Sequence, residues 1–372
     1  MRFVPFRMER YQSTYEHRVR INLSESGVHP LTVNELLKIA DKDTDVGDIR
    51  LGYGQSNGSD LLRERIASLY TDATEANVLV TVGGAEANFT CFWHLFETEG
   101  KAAVVLPTYG QVPGLMESFD GRILPVNLIE EEGWQPDLAA LEKALEDGAR
   151  FVLITNPNNP TGAALSDASM DAIAALTAKH EAWIMADEVY AGAETHDATT
   201  RSFWGCHDRV LITNSLSKAY GLPGLRLGWV LGPSELVNRL WGRTDYTTIA
   251  PASVSDALAC VALESGTRER IVARTRGIVR ANLGLLEQWM AGQDGRFRYR
   301  APDAGAICYA HYSAAVNSTD FAEKLRTEKG VLVVPGDHFG MDHYLRIGFG
   351  NPEEELLEGL GLLREAFDEV AG

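Results

Sequence analysis

The chain has 372 residues, 45% of them hydrophobic and 23% charged, with 52 acidic against 34 basic side chains and a formal charge of -18. That composition excludes collagen-like repeats, long disordered tails and a disulfide-scaffold peptide. The acidic balance repels phosphate backbones, so no nucleic-acid partner is expected. No run approaches the ~18 apolar residues of a membrane-spanning helix, and MRFVPFRMERYQ lacks the apolar stretch of a signal peptide, so the expectation is no membrane association and a cytoplasmic location. Cys91, Cys206, Cys260 and Cys308 stand far apart, with no C-x-x-C pair and no zinc-finger spacing, which predicts free thiols and no metal site.

In chain order, Ser59 can cap a helix whose Leu62, Ile66, Leu69 and Tyr70 fall at helical spacing. VLVTVGG (78–84) then reads as a strand, followed by a helix from Glu86 to about Glu99. Short apolar runs follow: AAVVLP (102–107), FVLITNP (151–157), AWIMADEVY (182–190), VLITNSLSK (210–218) and RLGWVLG (226–232). Between them lie helix-length segments such as Ser166 to Lys179, with Met170, Ile173 and Leu176 on one face. Apolar runs alternating with helices predict an α/β fold with a mostly parallel sheet covered on both faces. From about residue 268 charges and apolar residues interleave at helical spacing for more than two dozen positions, enough to cross between domains. GVLVVPG (330–336), HYLRIGFG (343–350) and an amphipathic final helix then predict a smaller α+β domain.

Five local patterns carry chemistry. In SLSKAYGLPGLRLGW (215–229), Lys218 ends an apolar run before a glycine-rich turn, with Arg226 eight residues later. A lysine walled off from water at a strand end can lose its proton and become a nucleophile; a solvated loop lysine is the alternative. Ser215 to Lys218 also spells S-x-x-K, but the S-D-N and K-T-G companions of the penicillin-binding enzymes are absent, which removes a serine hydrolase. NPNNPTG (156–162) follows a strand, and Asn159 would project from the carboxyl end of the sheet, where open α/β sheets bind ligands; a merely rigid loop is the alternative. Asp187 in ADEVY (186–190) would enter the core and need a partner there, unless it is an exposed loop acid or a helix cap. TVGGAEAN (81–88) runs from strand through two glycines into a helix, whose first N–H groups suit a phosphate, though a tight turn has the same form. It is neither G-x-G-x-x-G nor a P-loop. Arg346 in YLRIGFG (344–350) has the planar fork that recognises carboxylates, or lies on a surface strand.

In this order, Tyr53, GGAEAN, PTYG, NPNNPTG, ADEVY, SLSKAYGLPGLRLGW and YLRIGFG resemble the class I/II aminotransferases of the fold-type I pyridoxal phosphate family, from about residue 20 to the end. The resemblance implies a large domain with a mostly parallel seven-stranded sheet between helices, plus the smaller α+β domain. It divides the chain into 1–45, an N-terminal segment belonging to the small domain and the substrate entrance; 46–268, the large cofactor-binding domain; and 269–372, the interdomain helix and C-terminal small domain. It implies pyridoxal 5'-phosphate as cofactor and an aminotransferase as activity. Lys218 would hold the cofactor as a Schiff base and shuttle protons, while Asp187 keeps the pyridine nitrogen protonated and the ring an electron sink. Asn159 and Tyr190 would bond the ring's 3'-oxygen, and Tyr109 in PTYG would stack on the ring. The phosphate falls to the backbone of Gly84 and Ala85, to Ser215, Ser217 and Arg226, and to Tyr53 of the neighbouring subunit, which implies a homodimer with shared active sites. Arg346, beside Asn159, would bind the carboxylate of an α-amino acid, with a 2-oxo acid as acceptor.

One segment departs from this pattern. Where many members have a G-x-P-D-F-like stretch over the substrate, this chain reads NLSESGVHPLT (22–32). With GVLVVPGDHFG (330–340) and LRIGFG (345–350), that segment is similar to capreomycidine synthase, which uses the same cofactor to dehydrate and cyclise a hydroxylated arginine. The resemblance therefore admits an alternative activity, a cyclase or oxidase for an arginine-derived amino acid in specialised metabolite biosynthesis. His29 and Glu25 become candidates for substrate side-chain contacts or an extra acid/base step, packing or capping being the alternative for His29.

Overall fold

The computed structural model describes residues 2–42 and 46–371. The domain boundary expected at 45/46 borders residues 43–45, which lie outside the described residues. The strands are β1 (Ile21–Asn22), β2 (Val78–Thr81), β3 (Lys101–Leu106), β4 (Arg122–Ile129), β5 (Gln135–Pro136), β6 (Phe151–Thr155) and β7 (Trp183–Asp187). They continue as β8 (Val210–Ser215), β9 (Gly228–Leu231), β10 (Phe297–Tyr299), β11 (Ile307–Tyr312), β12 (Val331–Leu332), β13 (Val334–Pro335) and β14 (Tyr344–Gly348).

Eight strands form one sheet in the order β2-β9-β8-β7-β6-β3-β4-β5. The pairs β3–β4, β3–β6, β6–β7 and β7–β8 are parallel, whereas β9 runs against β2 and β8, and β5 against β4. The sheet is thus the mostly parallel one expected, with a two-residue eighth strand added at one edge. The sequence hides β4 because Pro125 interrupts it; β5 pairs only with Leu128 and Ile129, so the proline lies on an open edge, where its missing N–H costs no ladder bond. Strands β6 and β8 are buried at every residue because both faces are covered. Alternate residues serve opposite cores, Ala103 and Val105 on one face and Ala102 and Val104 on the other.

The cap expected at Ser59 forms, and Ser166 caps its helix in the same way. Ser59 accepts from the N–H of Leu62 and Ser166 from that of Ser169, each interaction contributing about 1 kcal/mol. The helix expected from Glu86 starts earlier, spanning Gly83–Glu99, so both glycines sit in its first turn. GVLVVPG is divided between two sheets: β12 pairs with β1, and β13 with β14. The antiparallel sheet β10-β11-β14-β13 carries a second core, to which Ile21, Leu23 and Val28 contribute. The helix Ser265–Ala291, 27 residues long and so about 40 Å, serves both cores: Ile271 packs beneath the large sheet, and Val279, Leu286 and Met290 in the second core. Among the described residues no helix is long and apolar enough to cross a membrane.

Two tethers join these bodies. Residues 23–29 run along the end of β14, with Gly348 N–H donating to the Leu23 carbonyl at 2.6 Å and His29 N–H to that of Gly350 at 2.8 Å. Side chains at 348 and 350 would collide with the carbonyl oxygens of Glu25 and Gly27, so both positions demand glycine. The second tether is the fully buried carboxylate of Glu194, which accepts from the N–H groups of Gly192 and Thr200 and pairs with Arg276 of the long helix. Burial disfavours its charge, but these donors more than compensate and hold its pKa below the ordinary value.

Removing one partner of such a pair strands a buried charge, at a cost of about 3–5 kcal/mol. Arg276→Ala should therefore lower the apparent melting temperature by roughly 4–6 °C at neutral pH, measured by calorimetry. Because the folded pKa of Glu194 is depressed, the contribution is complete above the unfolded glutamate value of about 4.3 and is lost as pH falls through the folded value. The difference between wild type and variant should accordingly shrink in acid.

Candidate active site

The parallel strands end at one edge of the sheet, and a cavity of about 330 Å³ opens there. Asp187, the last residue of β7, lies in its wall and is 8% exposed. Burial raises its carboxyl pKa, against which Asn88 donates to Oδ2 at 2.9 Å and the Val189 N–H to Oδ1 at 3.2 Å. Asn88 is oriented in turn by Thr213 of β8, whose hydroxyl donates to its Oδ1 at 2.6 Å. No local pattern gives Asn88 a role, although it closes GGAEAN; a polar residue on the inward face of that helix is the available signal.

Lys218 projects into the cavity from the turn after β8, and its Nζ contacts the carboxylate of Glu25. The Lys218 side chain is 23% and that of Glu25 44% exposed, so the pair stands in the open part of the cavity, where partial loss of solvent works against both charges. The pairing overcomes it on each side, holding Glu25 down at about 2 and raising the Lys218 amine above an ordinary lysine. Next to them the Tyr190 hydroxyl donates to Ser26 Oγ at 2.8 Å, and burial raises its pKa so that it stays neutral.

Arg346, in the middle of the small sheet, is 1% exposed, far from the surface arginine that a β-prone run admits. Its Nη1 donates to Asn159 Oδ1 at 2.8 Å and its Nη2 to the Ser24 carbonyl at 2.6 Å. Met8 Sδ at 3.3 Å and Gln12 Oε1 at 3.5 Å flank it from the helix Arg7–Tyr15, and its buried Nε has no partner among the described residues. Nothing in the sequence flagged Met8, Gln12 or Ser24, since contacts spanning more than three hundred residues leave no local pattern. Tyr109 lines the cavity with its ring edge-on to Phe6 at 5.0 Å, and burial, then the nearby Glu9, raise its pKa.

At the opposite end Gly84 and Ala85 begin the helix Gly83–Glu99, so their N–H groups have no carbonyl one turn earlier. Ser215, Ser217 and Arg226 line the same end. The Ser217 N–H donates to Ser215 Oγ at 3.2 Å, and Arg226 Nη1 reaches Ser217 Oγ at 3.4 Å. Gly83 has φ 77°, and a Cβ there would strike the Arg226 guanidinium, so this turn is built to bring backbone and arginine together.

Two candidates lie elsewhere. His29 is outside the cavity lining; its ring Nδ1 sits 3.1 Å from the Gly350 carbonyl, the oxygen its own N–H already engages, so the residue tethers the 23–29 segment to β14. Tyr53 is 92% exposed and away from the cavity of its own chain.

These donors suit pyridoxal phosphate. Lys218 offers an amine for an aldehyde, Asp187 a buried carboxylate for a cationic ring nitrogen, and the first turn with Ser215, Ser217 and Arg226 an anion cradle with room for a phosphate. Among the described residues no group of His, Cys, Asp and Glu is arranged to hold a metal ion.

Residues 20–362 match the family model of aminotransferase class I and II. The capreomycidine synthase of Streptomyces vinaceus is 30% identical over 351 residues, covering 94% of this chain and 90% of that protein. A pyridoxal phosphate-dependent aminotransferase from Streptococcus suis superposes with a TM-score of 0.92 at 29% identity, over 100% of both chains. The pyridoxal phosphate-dependent cyclase OrfR does so with a TM-score of 0.90 at 26% identity, over 99% of this chain and 98% of the other. The chain belongs to the class I and II aminotransferase family, and it is a pyridoxal phosphate-dependent enzyme of fold type I that acts on amino-acid-like substrates.

Proposed function

We propose that the chain is an aminotransferase that moves the amino group of an α-amino acid to a 2-oxo acid. The observation that carries this reading is the convergence of Lys218, Asp187 and the buried fork of Arg346 on one cavity. Bound there, pyridoxal phosphate supplies a carbonyl for the amine and a ring that accepts electrons from the substrate Cα. Lys218 is the amine that carries it and, once displaced, moves the proton at Cα. Asp187 would keep the ring nitrogen protonated, Asn159 and Tyr190 would bond the ring oxygen, and Tyr109 would pack against the ring. Gly84, Ala85, Ser215, Ser217 and Arg226 hold the phosphate. Arg346 binds the substrate carboxylate through a guanidinium that Asn159 and Ser24 already orient, so little side-chain freedom is lost on binding.

The same reading includes a division near residues 46 and 268, a homodimer and a cytoplasmic location. Free thiols at Cys91, Cys206, Cys260 and Cys308 support the last. Exposed Leu51, Tyr53, Tyr246 and Ile249 support the dimer, with Tyr53 serving the partner's phosphate end. Light scattering should give twice the chain mass; a monomer that is fully active would remove the shared site.

One observation favours a second reading, a cyclase or oxidase for an arginine-derived substrate. The 22–32 segment, similar to that of capreomycidine synthase, brings the carboxylate of Glu25 into contact with the lysine that moves the proton. Single-turnover spectra separate the readings. With a panel of amino acids that includes arginine and its hydroxylated forms, and no oxo acid, transamination predicts conversion to pyridoxamine phosphate, reversed by adding an oxo acid. An altered arginine product without pyridoxamine phosphate would instead make it a cyclase or oxidase. Lys218→Ala should abolish the covalent cofactor absorbance and reduce turnover by several orders of magnitude; retained absorbance would remove Lys218 from its role.

A further inference from the structure

Residues 24–26 supply three consecutive site contacts: the Ser24 carbonyl to Arg346, the Glu25 carboxylate to Lys218, and the Ser26 hydroxyl to Tyr190. The carboxylate is itself fixed, since Oε1 accepts from the N–H groups of Ser26 at 2.9 Å and Gly27 at 3.3 Å. Gly27 lies against the lysine stem, where a Cβ would meet Lys218 Cδ at 3.4 Å. The segment is pinned to β14 through Gly348 and Gly350, so Glu25 is held by backbone from two directions.

We propose that Glu25 is a positioning residue that acts through Lys218, holding Nζ in place in the cavity and stabilising the ammonium formed whenever that nitrogen takes up a proton. This rests on the transaminase reading and deepens it. Lys218, released from the cofactor as a neutral amine, would take the substrate Cα proton into a third N–H bond at Nζ, the C–H bonding pair staying with carbon. Glu25 remains ionised throughout and neutralises the ammonium until the proton is returned. The other charged and titratable groups that face the pair are Arg346 from β14, which opposes the ammonium, Tyr190 from the turn after β7, and Asp187 at its end. Glu9, Glu16, Tyr109 and Arg226 line the same cavity. Burial alone would push the amine down, and Glu25 together with Tyr190 more than reverses it.

The titration of Lys218 can be read directly on the full chain freed of cofactor, by trace acetylation across pH with mass spectrometry of the Lys218 peptide. In wild type the amine should titrate above the ordinary lysine value of about 10.4, and a value at or below it overturns the proposal without any variant. Glu25→Gln should shift the curve to lower pH, so that neutral amine is roughly tenfold more abundant at neutral pH and pyridoxal phosphate is captured correspondingly faster. Glu25→Asp, which keeps a carboxylate, should restore part of the shift. On the holoenzyme, the acid limb of the kcat–pH profile should move in the same direction in Glu25→Gln. Equal labelling in wild type and a folded Glu25→Gln overturns the proposal. Labelling needs neither amino donor nor acceptor, so this failure is distinct from failure of the transaminase reading, which shows as absent pyridoxamine phosphate.

Discussion

The structure is organised around the cost of burying charge. Asp187, Lys218, Glu25 and Arg346 share one small cavity, and each would be expensive there alone. The solution differs for each group. Asp187 is held by neutral donors, Asn88 and the backbone of Val189, which leaves its charge incompletely matched and suits it to a cationic ring nitrogen. Lys218 and Glu25 neutralise each other. Arg346 donates to neutral acceptors, Asn159 and the Ser24 carbonyl, and makes no ion pair among the described residues, which leaves its fork available to a substrate carboxylate.

Those partners come from separated parts of the chain, which explains why the fold needs its tethers. Asp187 ends a strand of the large sheet and Lys218 lies in the turn after another, Arg346 belongs to the small sheet, and Glu25 to a segment before both. Ion pairs between bodies that slid past one another would leave buried charges exposed to mismatch. The long helix packing into both cores, the Glu194–Arg276 pair, and the glycines that let residues 23–29 lie flat on β14 all act against such sliding.

The sequence made legible what is encoded locally. Strands β2, β6 and β8 and the turns after them are legible because β-branched runs ending in glycine, proline or asparagine carry their own geometry; β7 is legible as an apolar run that stops at two acids, Asp187 and Glu188. Strand β4 was not, since a proline breaks its run and only the three-dimensional edge position makes it tolerable. GVLVVPG looked like one strand because β-propensity does not report which neighbour a residue pairs with, and here the partner changes at Val333. Asn88 sat inside a quoted motif and went unassigned; Gln12 and Met8 had no signal at all.

The 22–32 segment is the instructive case, because its sequence marked it as unusual without saying why. His29 and Glu25 looked equally chemical as letters, a titratable pair four residues apart in a departure from the common pattern. Geometry separates them. His29 spends both its backbone N–H and its ring nitrogen on a single carbonyl, that of Gly350, and lies outside the cavity wall. Glu25 has its backbone against Gly348 and its carboxylate on Lys218. One residue therefore anchors the segment so that the other can reach the amine, a division of labour set by which neighbours β14 offers at Gly348 and Gly350.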